Sequence, residues 1–436
     1  ALDLKARLAP GFVAPNPTNP LTNPTNPTNP TTPKTATTGR RRRRRLPLMN
    51  RNILVLDFAS ATRPYLEQLL DERKAAGLLL VLPRQFADAA STKPAQRKTW
   101  QALEQWLLRR EVKVPVYFTV QSRATMALKD SLVGLGGSAD GLLLKLEESS
   151  GNVKPSALKR PLEPTLNNVQ GWLPTSSPDA DPEYLPTVAL VAHYDTFGLI
   201  PGLSRGGGSG TVALLELARL FSQLYTSSLS SSSGSHNLLF VLTSGGHTNF
   251  AGARDWLDVV DAQLVDSIDF ALCLDDIDVG GGEADTRPRE FYLHFSKNPE
   301  KDPTIRKILS AFDAAAAGMR DGTRVVRKRK RINLKNTHLA WEHEQFAMKR
   351  IVAATLSGRA SAPEPFSRGS TFVAASSRNE AAQRRLKRAI KLAAEALAKM
   401  VFPALRVAAQ AGDEEDNDND SNKANNDNGA HQIFTG

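Results

Sequence analysis

Only one cysteine, Cys273, occurs in 436 residues. That excludes an intrachain disulfide and any cysteine-based zinc site. No apolar run approaches the roughly 18 residues that a membrane-spanning helix needs, so the sequence is not itself a membrane span. The opening ALDLKARLAP lacks the apolar core of a secretory signal, and the chain starts at Ala1 rather than Met. The expectation is a processed or trimmed chain.

What is present supports a folded core. Hydrophobic residues make up 41% of the chain and mean hydropathy is −0.33. At roughly 100–200 residues per domain, two or three domains are expected. The net charge is +11, unevenly spread. Residues 413–436 hold seven acids against one lysine, and residues 40–45 are six arginines. These segments cancel and leave +11 on the remainder. A mildly basic body with a basic knot and an acidic tail differs from a uniformly basic nucleic-acid binder.

Residues 1–50 are expected to be disordered. Between 16 and 33 the chain repeats Asn-Pro-Thr, with proline too frequent for helix or strand. Proline in the middle position of those triplets excludes N-glycosylation there. The six arginines that follow read as a solvated linker, with an anionic membrane surface or RNA as the sharper alternative. Residues 409–436 form an acidic, Asn/Asp-rich tail that is also expected to be disordered.

Two ordered regions lie between. In 51–164, buried strands are expected at 52–58, 78–82 and 114–120, with helices at 64–75 and 100–110. That alternation points to a parallel α/β lobe. In 165–408, strands are expected at 168–173, 187–192, 237–243 and 270–274. Further short strands fit 291–295, 325–326 and 351–356, and helices fit 211–225, 251–257 and 379–405. A Gly-rich loop at 205–210 precedes the first of these helices, and a Ser-rich loop at 227–235 follows it.

The ends of buried strands are where α/β proteins gather their chemistry. His193 and Asp195 end the 187–192 strand. Two apart on extended backbone, they face the same way, and imidazole with carboxylate suits zinc. Asp275 ends the 270–274 strand, and His343 lies in Trp-Glu-His-Glu before another strand. A lone His-x-Asp pair is more often a structural hydrogen-bonding pair than a metal site. The order is more specific: strand with His-x-Asp, Gly-rich loop and helix, strand and loop, strand with Asp, then His.

That order resembles the M28 zinc aminopeptidases. The resemblance implies a mixed sheet flanked by helices, preceded here by an α/β lobe and bounded by disordered ends. In such enzymes a His-x-Asp, a bridging Asp in a Gly-rich loop, a Glu-Glu pair, a Leu-Asp and a late His hold two zincs. The first Glu is the general base. His193, Asp195, Asp275 and His343 match. The bridging Asp does not: its place falls on Arg205 and Gly206. The Glu-Glu pair falls on Gly246 and His247. Two divalent cations about 3.5–4 Å apart need a shared anion, and general-base assistance is worth about 10²–10⁴ in rate. The expectation is therefore a pseudo-peptidase with no catalytic residues, no cofactor and four vestigial ligand positions. Two alternatives remain: one residual zinc, with His247 as a substitute ligand, or a fossil hydrogen-bond network joining His193 to a carboxylate.

Within that fold, most of residues 51–405 is similar to the nicalin-like, nicastrin-like membrane proteins of the endoplasmic reticulum. The stretches that carry this include LLLVLPR, NVQGWL, ALVAHYDTFG, SGTVALLELARLFSQLY, ALCLDD and LAWEHEQFAMKR. The resemblance implies a non-catalytic lumenal domain, cut from a parent with a cleaved signal and one membrane anchor. It implies a scaffold role in a translocon-associated complex that aids biogenesis of multi-pass membrane proteins. The implied partners are a nodal modulator-like protein, a small multi-spanning membrane protein and the Sec61 translocon.

Two other functions remain for comparison. One is a single-zinc aminopeptidase-like hydrolase, whose proton acceptor would have to be Glu342 or Glu344; both are expected to face solvent or to position His343. The other is a binder of nucleic acid or anionic surfaces through residues 40–45 and the RKRKR at 327–331. No aromatic residues interleave with those basic runs, so nucleic acid is not expected. The RKRKR segment reads as a solvated strand edge.

Overall fold

The computed structural model describes residues 5–6, 52–72, 74–84, 94–134, 142–145, 165–175, 185–196, 208–226, 234–279, 289–298, 301–333, 335, 338–363, 368, 370–372 and 380–402. Residues 40–45, 197–207 and 403–436, with most of the Ser-rich loop, lie outside the described residues. The chain divides into two compact units: residues 1–86 with 90–160, and residues 87–89 with 161–436.

In the first unit the elements run β1 (Lys5–Ala6), β2 (Asn52–Asp57), α1 (Arg63–Glu67), β3 (Gly77–Leu82), α2 (Pro94–Arg109), β4 (Val116–Val120), α3 (Arg123–Gly134) and β5 (Leu142–Lys145). The helix expected over 64–75 is α1 followed by a π-helical turn, Gln68–Glu72. The sheet order is β1-β5-β2-β3-β4. β2, β3 and β4 are parallel, and β5 is antiparallel to β2. The lobe is therefore mixed rather than purely parallel. An antiparallel addition toward the edge of a parallel sheet is common, because it adds pairing without disturbing the crossovers. β1 pairs with β5, an ordered contact ahead of residue 51 that the sequence did not announce.

The second unit carries β6 (Val169–Leu173), β7 (Thr187–His193), α4 (Gly208–Thr226), β8 (Asn237–Thr243), α5 (Ala251–Val259), α6 (Ala262–Ser267) and β9 (Ile268–Leu274). Then follow β10 (Arg289–Phe295), α7 (Pro303–Gly318), β11 (Thr323–Arg329), α8 (His343–Met348), β12 (Ala353–Ser357) and α9 (Glu380–Val401). Its seven strands are ordered β11-β10-β12-β9-β7-β8-β6. β6 is antiparallel to β8 and β10 to β12; the remaining pairs are parallel. This is the mixed sheet expected from the sequence.

Alternation along β7 sets the two layers. Val188, Leu190 and Ala192 pack with α4, α7 and α9 through Leu217, Phe312 and Leu397. Ala189 and Val191 face the other way, onto Phe250, Ala253 and Trp256 of the α5 region and Phe346 of α8. Every residue of β7 is buried, and each fully buried leucine or valine contributes about 1.5–3 kcal/mol. α7 starts where Asp302 accepts from the backbone N–H of Thr304 at 3.0 Å, with Pro303 in the first turn. β11 is the outer strand, with Arg327, Lys328 and Arg329 exposed, as the RKRKR run suggested. Cations there discourage edge-to-edge pairing.

Candidate functional site

The central strands deliver the candidate residues. β7 and β9 are parallel neighbours, with Val191 opposite Cys273. Two residues on, His193 and Asp275 continue the same faces at the ends of their strands. Both are buried, at 5% and 1% exposure. His193 Nε2 lies 3.9 Å from Asp275 Oδ1, and His193 Nδ1 lies 3.7 Å from Glu342 Oε2. Both separations exceed an ordinary hydrogen bond, so these are close charge contacts. Among the described residues, neither His193 Nδ1 nor Glu342 Oε2 has a hydrogen-bond partner. The other oxygen of Glu342 accepts from the Thr243 hydroxyl at the end of β8.

Asp275 has a much closer partner. Arg368 donates from Nη1 to Asp275 Oδ2 at 2.6 Å and from Nη2 to the Ala340 carbonyl at 2.7 Å. The guanidinium carbon lies 4.8 Å from the Phe250 ring centre and 5.6 Å from that of Trp341. The neighbouring Asp276 accepts from Arg359 Nε at 2.6 Å. Burial alone would raise the Asp275 pKa, but Arg368 and then His193 outweigh it and hold the carboxyl below its usual range. For His193, burial opposes the proton, yet Glu342 and Asp275 prevail and its pKa rises.

Asp195 is held differently. Its carboxylate accepts from the backbone N–H of Gly245 at 2.7 Å and of Gly246 at 3.1 Å. His247 Nδ1 is 3.5 Å from the same carboxylate. Burial lowers the His247 pKa, with Asp195 opposing and His193 reinforcing that fall. Gly245 sits at φ +68°, which favours glycine and turns the loop toward Asp195. Gly246 lies against the His193 ring: a Cβ there would be 2.2 Å from His193 Cδ2. The imidazole fills the space that a side chain at 246 would need.

His343 opens α8 and is fully buried. Its Nδ1 lies 2.8 Å from Thr355 Oγ1 and its Nε2 lies 3.0 Å from Ser296 Oγ. Burial, then His294 and Lys330, push its pKa down to about 3. His294 stacks on Trp341 with ring centres 4.3 Å apart, and Nε2 lies 2.8 Å from the Arg359 carbonyl. Among the described residues, no group of three or more His, Cys, Asp or Glu is arranged to hold a metal.

A family model, Peptidase family M28, matches residues 168–365. The dog (Canis lupus familiaris) BOS complex subunit NCLN is 34% identical over 349 residues, covering 76% of this chain and 58% of that protein. Its human counterpart is 36% identical over 304 residues, covering 65% and 51%. A Caenorhabditis elegans protein named Nicalin is 31% identical over 267 residues, covering 57% and 43%. The chain is a nicalin homologue. It spans about half the length of the curated relatives it matches. The gamma-secretase component nicastrin superposes with a TM-score of 0.50 at 12% identity, covering 80% of this chain and 65% of that one, a likeness of fold alone.

Within this nicalin homologue the structure brings His193 and Asp275 together. It sets Asp195 beside Gly246 and His247, and turns His343 toward Thr355 and Ser296. Arg205 and Gly206 lie outside the described residues. Glu342 and Glu344, expected to face solvent or to position His343, are buried at 0% and 2% exposure. Glu344 accepts from the backbone N–H of Ala340 at 3.3 Å, and Glu342 faces His193 rather than His343. Burial drives this, since both glutamates sit where the chain turns into α8 against the sheet. Arg368, Thr243 and Arg359 had no signal in the sequence.

Proposed function

We propose that this chain is a non-catalytic lumenal portion of a BOS complex subunit in the endoplasmic reticulum membrane. Its work is that of a scaffold in a translocon-associated complex that aids biogenesis of multi-pass membrane proteins. A nodal modulator-like protein, a small multi-spanning membrane protein and the Sec61 translocon are its partners. The observation that carries this reading is the 34% identity to the dog BOS complex subunit NCLN over 349 residues. Among the described residues no helix is long and apolar enough to cross a membrane.

The non-catalytic half of the reading rests on the site. The donors, as placed, do not fit a zinc pair. Asp275 is committed to Arg368, Asp195 to two backbone N–H groups, and His343 lies against two hydroxyls. The positions of the bridging carboxylate and the general base hold Arg205, Gly206, Gly246 and His247. A single-zinc hydrolase has one observation in its favour, the buried Glu342 carboxylate 3.7 Å from His193, but Thr243 already engages Glu342 and Arg368 engages Asp275.

The test is affinity capture of the tagged protein, in its membrane-anchored parent form, from detergent-solubilised microsomes. Quantitative mass spectrometry is expected to show co-enrichment of multi-spanning membrane proteins and translocon subunits over an unrelated lumenal control. Parallel assays on aminoacyl-nitroanilides are expected to show no turnover above buffer. Zinc-dependent turnover, abolished by His193→Ala, would overturn the non-catalytic reading. Loss of all membrane partners would overturn the scaffold.

A further inference from the structure

We infer that Arg368 is the resident counter-cation of this centre, a guanidinium that supplies the positive charge its buried carboxylate needs and leaves no call for a metal ion there. A carboxylate as buried as Asp275 persists only when paired and hydrogen-bonded. Its hydrogen-bonded cation is Arg368 at 2.6 Å; the His193 nitrogen is farther, at 3.9 Å.

The guanidinium is built in rather than passing by. One nitrogen is tied to the Ala340 carbonyl, and the planar group lies against Phe250 and Trp341. Stacking of that kind suits a flat, weakly hydrated cation. A divalent ion on Asp275 would meet this positive charge and compete for the same lone pairs. The second acid of the pair repeats the device: Asp276 is matched by Arg359. Both arginines come from the chain after β12, so that segment delivers two cations to the two acids that end β9.

Packing closes the remaining route. With the His193 ring 2.2 Å from any Cβ at 246, a carboxylate restored there cannot enter unless His193 leaves its place between Asp275 and Glu342. The centre is thus sealed by the protein's own charge and shape. This inference goes beyond the scaffold reading and does not depend on it, because partner capture and internal charge pairing fail separately.

The experiment is thermal unfolding and metal analysis of the 436-residue chain. EDTA and excess zinc chloride are each expected to leave the midpoint within about 1 °C, with substoichiometric zinc by plasma mass spectrometry. Arg368→Met is expected to lower the midpoint by about 10 °C, since it strands a buried carboxylate. The double variant Asp275→Asn/Arg368→Met is expected to regain at least half of that loss. If Arg368→Met fails to fold, recovery of soluble protein in the double variant takes the place of the midpoint. A chelator-sensitive midpoint with one or two bound zincs overturns the inference. So does an Arg368→Met midpoint equal to the parent's, or a double variant no more stable or soluble than Arg368→Met.

Discussion

Two neighbouring strand ends solve one problem in two ways. At the end of β9, Asp275 is buried at 1% exposure and meets a full charge, Arg368. Beyond β7, the Asp195 side chain keeps 24% of its exposure and is satisfied by the dipoles of two backbone N–H groups. The difference follows from desolvation. A carboxylate that keeps some water needs only a few aligned donors, while a dry one needs an opposite charge. The sequence pattern offers Asp275 and Asp195 alike as candidate metal ligands, yet their surroundings make one a structural keystone and the other a loop fastener.

Arg368→Met should break the β9 end most severely. Removing one partner of a buried pair costs about 3–5 kcal/mol, read as a fall in the urea midpoint. The same end should also be acid-sensitive through His294, whose pKa burial pushes down to about 4. Below its ordinary value of 6.5 the unfolded chain takes up a proton that the folded unit refuses. Stability is therefore lost as pH falls from 6.5 toward 4, by roughly 3 kcal/mol over that window. Denaturant titrations at pH 7, 5.5 and 4 should show this slope, reduced in His294→Gln. His193 has the opposite sign. Its raised pKa adds stability that is full below 6.5 and fades as pH rises through its folded value.

Smaller effects sharpen the contrast. Gly246→Ala should cost about 1–3 kcal/mol by pressing on the His193 ring, measured by differential scanning calorimetry. Asp195→Asn should cost only about 1–2 kcal/mol, because the single amide oxygen still accepts from one of the two N–H groups and the partly exposed site lets water serve the other. Its clearest sign should be faster amide exchange at Gly245 and Gly246, with the unfolding midpoint nearly unmoved. An Asp195→Asn loss as large as that of Arg368→Met would erase the distinction between the two strand ends.

Much of the architecture could be read from local pattern. The 187–192, 237–243 and 270–274 runs are apolar, short and bounded by turn residues, and they became β7, β8 and β9. His193, Asp195 and Asp275 were legible because each follows such a run. α7 was readable too, from Ile305, Ile308, Leu309 and Phe312 at helical spacing, but its interior is diluted by alanine and charge. Glu342 and Arg368 were not legible. A glutamate beside a histidine and an arginine in an irregular segment carry no periodicity, and their partners lie 99 and 93 residues away in sequence.

The sequence by itself determined the layered α/β unit, because continuous apolar runs point residues alternately to both faces and so must be covered on both. It also put Arg205, Gly206, Gly246 and His247 where the resemblance to M28 peptidases leads carboxylates to be expected. Only the tertiary structure decided what took over. Asp275 accepts an arginine, Asp195 accepts a turn, and His193 occupies the space beside Gly246. Such pairings are fixed by burial and approach across distant segments, and no local pattern encodes the desolvation that makes them necessary.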